Sequence, residues 1–438
     1  MQPKNICLVN DSFPPVIDGV SNAVVNYAQI LHAGGCGVTV VTPTVPEADD
    51  AQFPFPVVRY PSVDMTRLVG YRAGFPFSAA TLDQLQKMRF DLIHCHCPIT
   101  SAMLARSLRD QIGVPLVFTY HTKFDIDIAN AIRSKRLQAE AKKMLVDNIS
   151  ACDEVWTVSH GAGKNLESLG YKGAWRVMPN GVDFPKGRVD AALVDAVAKP
   201  YDLPRDVPVF LFVGRMMWYK GLRIILDALK LLKSHRQDFR MVFVGSGGDR
   251  DEVMAYSHEL GLDDCVFFDA PKYDRNVIRA WYCRADLFLF PSTFDTNGLV
   301  VREAAACALG SVLIRGSCAA EDVEDGVSGF FIEENAASMA DQLLHLCQSP
   351  EAMRRVGKNA QQMIYISWQD AVARASARYD AVIANYRAGQ YPTHTRPSDE
   401  AYRALASYLA AVGKLQEKVR DQQEKVLDQF EQLADWFL

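Results

Sequence analysis

Residues 287–310 read LFLFPSTFDTNGLVVREAAACALG, and the way this stretch folds decides the class of the chain. Leu287 to Phe290 is a four-residue apolar run that stops in Pro291-Ser292-Thr293. A run so short, closed by turn residues, reads as a buried parallel strand rather than a helix. Leu299 to Ala308 holds good helix formers and no breaker, which predicts a helix with Glu303 in its first turns. Asp295 stands on the loop before it. Two carboxylates are thus presented past the carboxyl end of a strand and beside a helix start, where α/β sheets bind ligands and unpaired N–H groups can meet anions or sugar hydroxyls. An N-cap aspartate and a solvated glutamate fit the same letters.

Upstream, the same punctuation recurs. Lys4 to Asn10 predicts a strand, Asp11 to Gly19 a Pro/Gly loop, Ser21 to His32 a helix and Gly37 to Thr42 a second strand: a Rossmann-type βαβ unit. The turn lacks the G-x-G-x-x-G spacing of a dinucleotide site, and Gly19 reads as a point of close backbone approach to a ligand or as a plain loop glycine. Phe90 to Cys95 and Pro115 to Tyr120 predict further strands. His121 ends the second of these at the ligand edge, open to a substrate role or a purely structural one. Asp125-x-Asp127 has the spacing of a metal-chelating pair, a pattern also common by chance. Asn130 to Leu145 predicts a helix carrying Arg133, Lys135, Arg136, Lys142 and Lys143 against Glu140, either a solvated face or one that meets anionic lipid. Asn180-Gly181-Val182-Asp183 closes this half with turn residues.

A second series starts with the predicted strand Val209 to Val213. Gly214-Arg215 and Lys220-Gly221 follow, leading into a helix from Leu222 to Ser234. An Arg and a Lys beside a Gly-flanked helix start suit a diphosphate. Gly245-Ser246-Gly247-Gly248 after the next strand imitates a nicotinamide fingerprint, but Arg250 stands where the third glycine belongs. The chain ends in helical patterns over 336–347, 350–365 and 369–386, a linker at 389–397, and an amphipathic helix over 399–438. The mixed charge of that last helix suits self-association or domain docking.

Composition bounds the reading. A length of 438 residues predicts two to three domains, and a net charge of −5 argues against nucleic acid as a partner. No stretch reaches eighteen apolar residues and the first apolar run is too short for a signal peptide, so the expected location is the cytoplasm. Ten scattered cysteines form no disulfide framework and read mostly as small buried hydrophobes. In His94-Cys95-His96-Cys97 strand alternation lets only one like pair converge, short of a zinc site.

The ordered set of motifs resembles the retaining nucleotide-sugar glycosyltransferases of family 4. It comprises Pro14 to Gly19, His121-Thr122, Asn180 to Asp183, Gly214-Arg215 with Lys220-Gly221, Gly245-Ser246-Gly247, and Phe290-Pro291-Ser292 with the carboxylate pair, over about residues 4–386. The resemblance implies an α/β chain of GT-B architecture, with two Rossmann-like doubly wound domains facing a cleft and a C-terminal helical extension. It implies an N-terminal acceptor domain (1–183), a linker (184–208), a nucleotide-sugar domain (209–368), a helix crossing back (369–388) and a tail (389–438). It assigns the donor diphosphate to Arg215 and Lys220 and the ribose hydroxyls to Glu303. The transferred sugar falls to His121, Asp295, Thr296, Asn297, Gly298 and Leu299, with Gly19 and Gly245 at the phosphates. It implies no cofactor or catalytic metal, and front-face attack through an oxocarbenium-like transition state.

The chain departs from the family pattern where Asp295 replaces the usual Glu and Thr296-Asn297-Gly298 replaces an aromatic–glycine ending, which leaves the donor sugar open. The stretches 11–22 and 119–124 look most like the branch that glycosylates diacylglycerol. That likeness predicts UDP-glucose or UDP-galactose as donor, a lipid acceptor and peripheral contact with the inner leaflet. Residues 1–183 carry 17 basic and 17 acidic side chains, so such contact would rest on a local cluster rather than on net charge. A transferase with a glycan or small-molecule acceptor, a GT-B epimerase and a non-catalytic interaction protein are the competing readings.

Overall fold

The computed structural model describes residues 4–64, 72–272 and 274–392, with isolated positions 398, 400, 402 and 404. The tail helix expected over 399–438 therefore lies outside the described residues, those few positions aside. The chain divides into two compact units. The first takes the chain up to 157, then 165–176 and everything from 374 on; the second takes 158–164 and 177–373.

The strands of the first unit are β1 (Asn5–Val9), β2 (Gly37–Pro43), β3 (Val57–Tyr60), β4 (Ser62–Asp64), β5 (Arg72–Gly74), β6 (Leu92–Cys95), β7 (Leu116–Tyr120), β8 (Glu154–Thr157) and β9 (Arg176–Val177). Among the described residues seven of them form one sheet in the order β3-β2-β1-β6-β7-β8-β9, parallel from β3 through β8. β4 and β5 pair apart from it as an antiparallel ribbon. The inner strands are buried on both faces because helices cover both faces, as parallel sheets require.

The second unit repeats the plan with β10 (Val209–Val213), β11 (Arg240–Val244), β12 (Val266–Asp269), β13 (Leu287–Phe290), β14 (Ser311–Ile314) and β15 (Phe330–Ile332). Their order is β12-β11-β10-β13-β14-β15, all parallel. Each sheet therefore reverses once, between β1 and β6 and between β10 and β13. Such switch points open a crevice at the carboxyl ends of the strands. Residues 287–310 run from β13 at the second of these points.

Several boundaries differ from expectation. The basic segment is two helices, Phe124–Ala131 and Lys135–Ser150, because the Ser134 side chain caps the second by accepting from Leu137 N. The presumed linker contains a helix, Ala191–Ala198, started by Asp190 accepting from Ala192 N at 2.9 Å and packed through Val194 and Val197 on the second core. The helix after β13 is Leu299–Ala306 and stops before Ala308. There Ala308 takes a left-handed φ of 57°, while Leu309 N reaches Ala304 O and Ala308 N reaches Ala305 O, a Schellman ending. Helix Trp368–Arg387 begins in the second unit and ends in the first. In the first unit its Tyr379 stacks on Trp156 with 5.5 Å between ring centroids.

Candidate active site

The three loops that leave β10, β11 and β13 touch backbone to backbone. A Cβ on Gly245 would lie 2.1 Å from Gly214 O, one on Gly247 2.3 Å from Met216 O, and one on Gly221 2.1 Å from Pro291 O. Gly245 is therefore demanded by the neighbouring loop itself, whatever ligand it meets. Asp249 completes the lock by accepting from Trp218 N at 2.8 Å. The imitation fingerprint is thus a brace: Arg250, where a third glycine was missing, opens helix Arg250–Glu259.

On this brace stand the expected cation and carboxylate. Lys220 ends the short 3₁₀ turn Trp218–Lys220, and Gly221 then turns the chain, at a φ of 78°, into helix Leu222–Ser234. The Lys220 ammonium lies 2.6 Å from Asp295 Oδ2, which also accepts from Ser292 Oγ at 2.7 Å. Phe290, Phe294 and Tyr219 surround the ammonium with ring centroids at 5.6–5.8 Å. Lys220 is only 9% exposed, so breaking this pair would strand a poorly hydrated charge. Arg215 differs: it is exposed and joins no ion pair among the described residues.

Glu303 belongs to a second cluster. It is buried, with Oε1 accepting from Arg275 Nη2 at 2.9 Å and Oε2 from the Tyr282 hydroxyl at 3.1 Å. Arg275 also lies 3.7 Å from Asp183 and 4.4 Å above the Phe184 ring. Burial pushes the Glu303 carboxyl above its usual range, and Arg275 and Tyr282 pull only part of the way back. Sequence reasoning missed Arg275 and Tyr282. Asp183, known only as a turn residue, was the available hint.

Gly298, at a φ of 57°, is the N-cap of helix Leu299–Ala306, and a Cβ there would press on Ala319 at 3.0 Å. Neither this helix nor Leu222–Ser234 has a side-chain cap, so both first turns offer backbone N–H groups to a ligand. Thr296 and Leu299 flank Gly298 half-buried. Asn297 lines a small pocket with Ser159, Arg302, Cys318, Glu321 and Asp322, and its amide nitrogen and oxygen are both buried without a hydrogen-bond partner among the described residues. Where the family pattern has an aromatic ring, this chain carries an unsatisfied amide.

In the first unit Gly19 opens helix Gly19–Ala33, whose N-cap Asp18 accepts from Val20 N and Ser21 N at 2.8 and 2.7 Å. A Cβ on Gly19 would meet nothing within 4 Å, so no protein neighbour demands a glycine there. The loop before it is held by Arg59, which donates to Pro14 O at 2.7 Å while forked on Asp50. His121, past β7, is buried with Nε2 3.0 Å from His96 Nδ1. His94 and His96 share one face of the chain, their rings 3.9 Å apart, with His94 held by Tyr379 at 2.6 Å and Thr119 at 2.7 Å. Burial lowers all three imidazoles, His121 to about 3. Asp125 accepts from Asn165 Nδ2 at 3.3 Å, and the side chain of Asp127 lies outside the described residues.

Known proteins align with this geometry. Residues 17–185 match the model of Glycosyltransferase Family 4, and residues 195–363 that of Glycosyl transferases group 1. Alpha-monoglucosyldiacylglycerol synthase of Acholeplasma laidlawii is 25% identical over 81% of this chain and 91% of its own length. D-inositol 3-phosphate glycosyltransferase of Mycolicibacterium smegmatis is 27% identical over 76% of this chain and 75% of its own. The structure of Anabaena HepE in complex with UDP aligns with a TM-score of 0.69 at 18% identity, covering 86% of this chain and 100% of that one. Two family domains in succession, each built on a parallel sheet that reverses once, place the chain among the GT-B glycosyltransferases, with a family 4 domain followed by a group 1 domain.

Proposed function

We propose that the enzyme is a retaining hexosyltransferase that moves glucose or galactose from a UDP-sugar to a hydroxyl of a membrane lipid such as diacylglycerol. The observation that carries the donor half is the Lys220–Asp295 pair at the β10/β13 switch point, beside two helix starts without side-chain caps. In this reading Lys220 and Arg215 take up the charge that develops on the departing nucleotide diphosphate, and the first-turn N–H groups of both helices share it. Glu303, bound by Arg275 at its Oε1, accepts from both ribose hydroxyls. Asp295, Thr296, Asn297, Gly298, Leu299 and His121 surround the transferred hexose, and Gly19 and Gly245 leave room beside the phosphates. With no enzyme nucleophile in the scheme, the acceptor hydroxyl attacks from the face the diphosphate leaves and passes its proton to the departing phosphate oxygen, which retains configuration.

Two observations support a lipid acceptor. One is the likeness to a relative named for a glucosyldiacylglycerol product. The other is helix Lys135–Ser150 with the turn before it, where Arg133, Lys135, Arg136 and Lys143 are exposed beside a Leu137 that is 59% exposed. None of these cations joins an ion pair among the described residues, which suits a surface of anionic head groups. Among the described residues no helix is long and apolar enough to cross a membrane. A soluble acceptor is the second reading, favoured by the likeness to an inositol phosphate glycosyltransferase.

A matrix of UDP- and GDP-sugars against diacylglycerol vesicles and soluble acceptors, read by mass spectrometry with the anomeric bond assigned by NMR, decides between them. An α-linked product on lipid from a UDP-hexose is expected. Turnover confined to water-soluble acceptors would overturn the lipid assignment, and a β-linked product the retaining one. Vesicle binding that ignores the removal of all anionic lipid would overturn docking through the basic helix.

A further inference from the structure

We infer that the acidic end of the C-terminal extension, residues 421–438, is the partner of the basic face on helix Lys135–Ser150, which it covers in competition with anionic lipid. The competition rests on the reading of that face as a lipid-docking surface; the contact itself does not.

The extension is anchored on this helix and its neighbour. Ser398 and Tyr402 are helical and one turn apart, and both meet Arg106 of helix Thr100–Ile112. Arg106 Nη2 donates to Ser398 Oγ at 2.8 Å, and its guanidinium lies 5.0 Å from the centre of the Tyr402 ring. Ser398 Oγ donates in turn to Asp147 Oδ2 at 2.6 Å, and Arg106 Nη1 to Asn148 Oδ1 at 2.7 Å. Asp147 and Asn148 belong to helix Lys135–Ser150. Tyr402 also packs on Phe77, with ring centroids 5.5 Å apart. Arg106 is 1% exposed, so undocking this turn would strip partners from a buried guanidinium.

The chain beyond the anchor carries the complementary charge. Residues 421–438 hold Asp421, Glu424, Asp428, Glu431 and Asp435 against Lys425. These acids recur at steps of three and four residues, which puts them on one face of the amphipathic helix expected there. Val426, Phe430, Leu433 and Phe437 fall on the opposite face. On helix Lys135–Ser150 the pairs Lys135 and Lys142, and Arg136 and Lys143, are each seven residues apart, with no ion pair to any of them among the described residues. Both segments therefore repeat charge over the same two turns of helix, with opposite sign.

The tether is long enough. Lys135 lies twelve residues before Asp147, about 18 Å along the helix. The nineteen residues from Tyr402 to Asp421 span about 24 Å as a coil, and Gly413 between them allows a reversal. A partner tethered at that range acts at an effective concentration of about millimolar, which favours the chain's own segment over a second copy.

Carbodiimide cross-linking of the full-length protein, mapped by mass spectrometry, reads the contact. Amide links from Lys135, Lys142 or Lys143 to the acids at 421–435 are expected in the monomer. Links found only in dimers would give the face to a second copy, and no links at all would leave it without this partner; either result overturns the proposal. Ser398→Ala with Tyr402→Ala releases the anchor without changing net charge. It should cut the links at least three-fold and tighten binding to equimolar phosphatidylcholine–phosphatidylglycerol vesicles at least three-fold. Replacing the five acids by their amides should abolish the links and tighten vesicle binding further. Links undiminished by Ser398→Ala with Tyr402→Ala would overturn the anchor. Links present with vesicle affinity unchanged in both variants would uphold the contact and overturn the competition. If neither the wild type nor the variants bind these vesicles, the lipid-docking reading has failed, while the wild-type links still decide the contact. They decide it equally should a variant not fold.

Discussion

Lys220 and His121 both stand past the carboxyl end of an inner strand, yet one is an ion held by a counter-ion and the other an uncharged ring held by another ring. Around Lys220 the partners are Asp295 and three aromatic rings, and nearby Glu303 meets Arg275. Against His121 lies His96, itself packed on His94 and Tyr27, and burial strips the charge from all three imidazoles. The contrast follows the chemistry proposed for each unit. A leaving diphosphate gains charge and calls for preorganised cations, whereas a hexose is neutral and calls for oriented hydrogen bonds.

The comparison breaks most readily at its charged end. Lys220→Ala or Glu303→Ala should each remove roughly 2–4 kcal/mol of transition-state stabilisation, measured as kcat/KM. Near-normal turnover in both would sink the donor assignment. Next in size is Gly221→Ala, which touches no ion but drives a Cβ to 2.1 Å from Pro291 O at a φ of 78°. Strain and overpacking together should lower stability by about 2–4 kcal/mol in denaturant unfolding. An unchanged midpoint would mean that the ion pair, not the backbone lock, joins these loops. At the neutral end, Thr119→Val keeps the shape but orphans His94 Nε2, and should lower stability by about 1–2 kcal/mol. A larger loss of donor affinity than of stability would show that the cluster is not neutral scaffolding.

The smallest effect is a matter of sign. Because burial raises the Glu303 pKa in the fold, stability from the neutral carboxyl is full below the unfolded value of about 4.3 and is lost as pH rises through the folded one. Glu303→Gln should therefore melt above the wild type at pH 8 and level with it near pH 4, while turnover is lost. Thermal melts at both pH values check this, and a variant less stable at pH 8 contradicts it.

Much of the fold was legible in short apolar runs closed by turn residues. The run LFLF at 287–290 is one whole strand, because a parallel strand buried on both faces needs no alternation. The helix after it was legible in its start but not its end, since a left-handed Ala308 gives no compositional warning. Ser134 could have been read as a cap, but a serine without a following Glu is a weak signal inside a basic run. Lys220 was visible as a cation suited to a diphosphate and Asp295 as a carboxylate at the sugar, while their direct pairing was not. Arg275 lies 28 residues from Glu303, and Tyr379 285 residues from His94, distances at which local spacing is silent and only the packed sheet supplies the contact.

The glycine crossings also bear on how such a site could be redesigned. Because Gly214 sits under Gly245, Met216 under Gly247 and Pro291 under Gly221, no one of the three loops can be lengthened or retilted alone. A chimera that grafts only residues 291–298 from a relative of different donor preference would inherit a mismatch at Gly221. One that transplants 214–221, 245–249 and 291–298 together carries the contacts with it, so the three loops form a single exchangeable cassette.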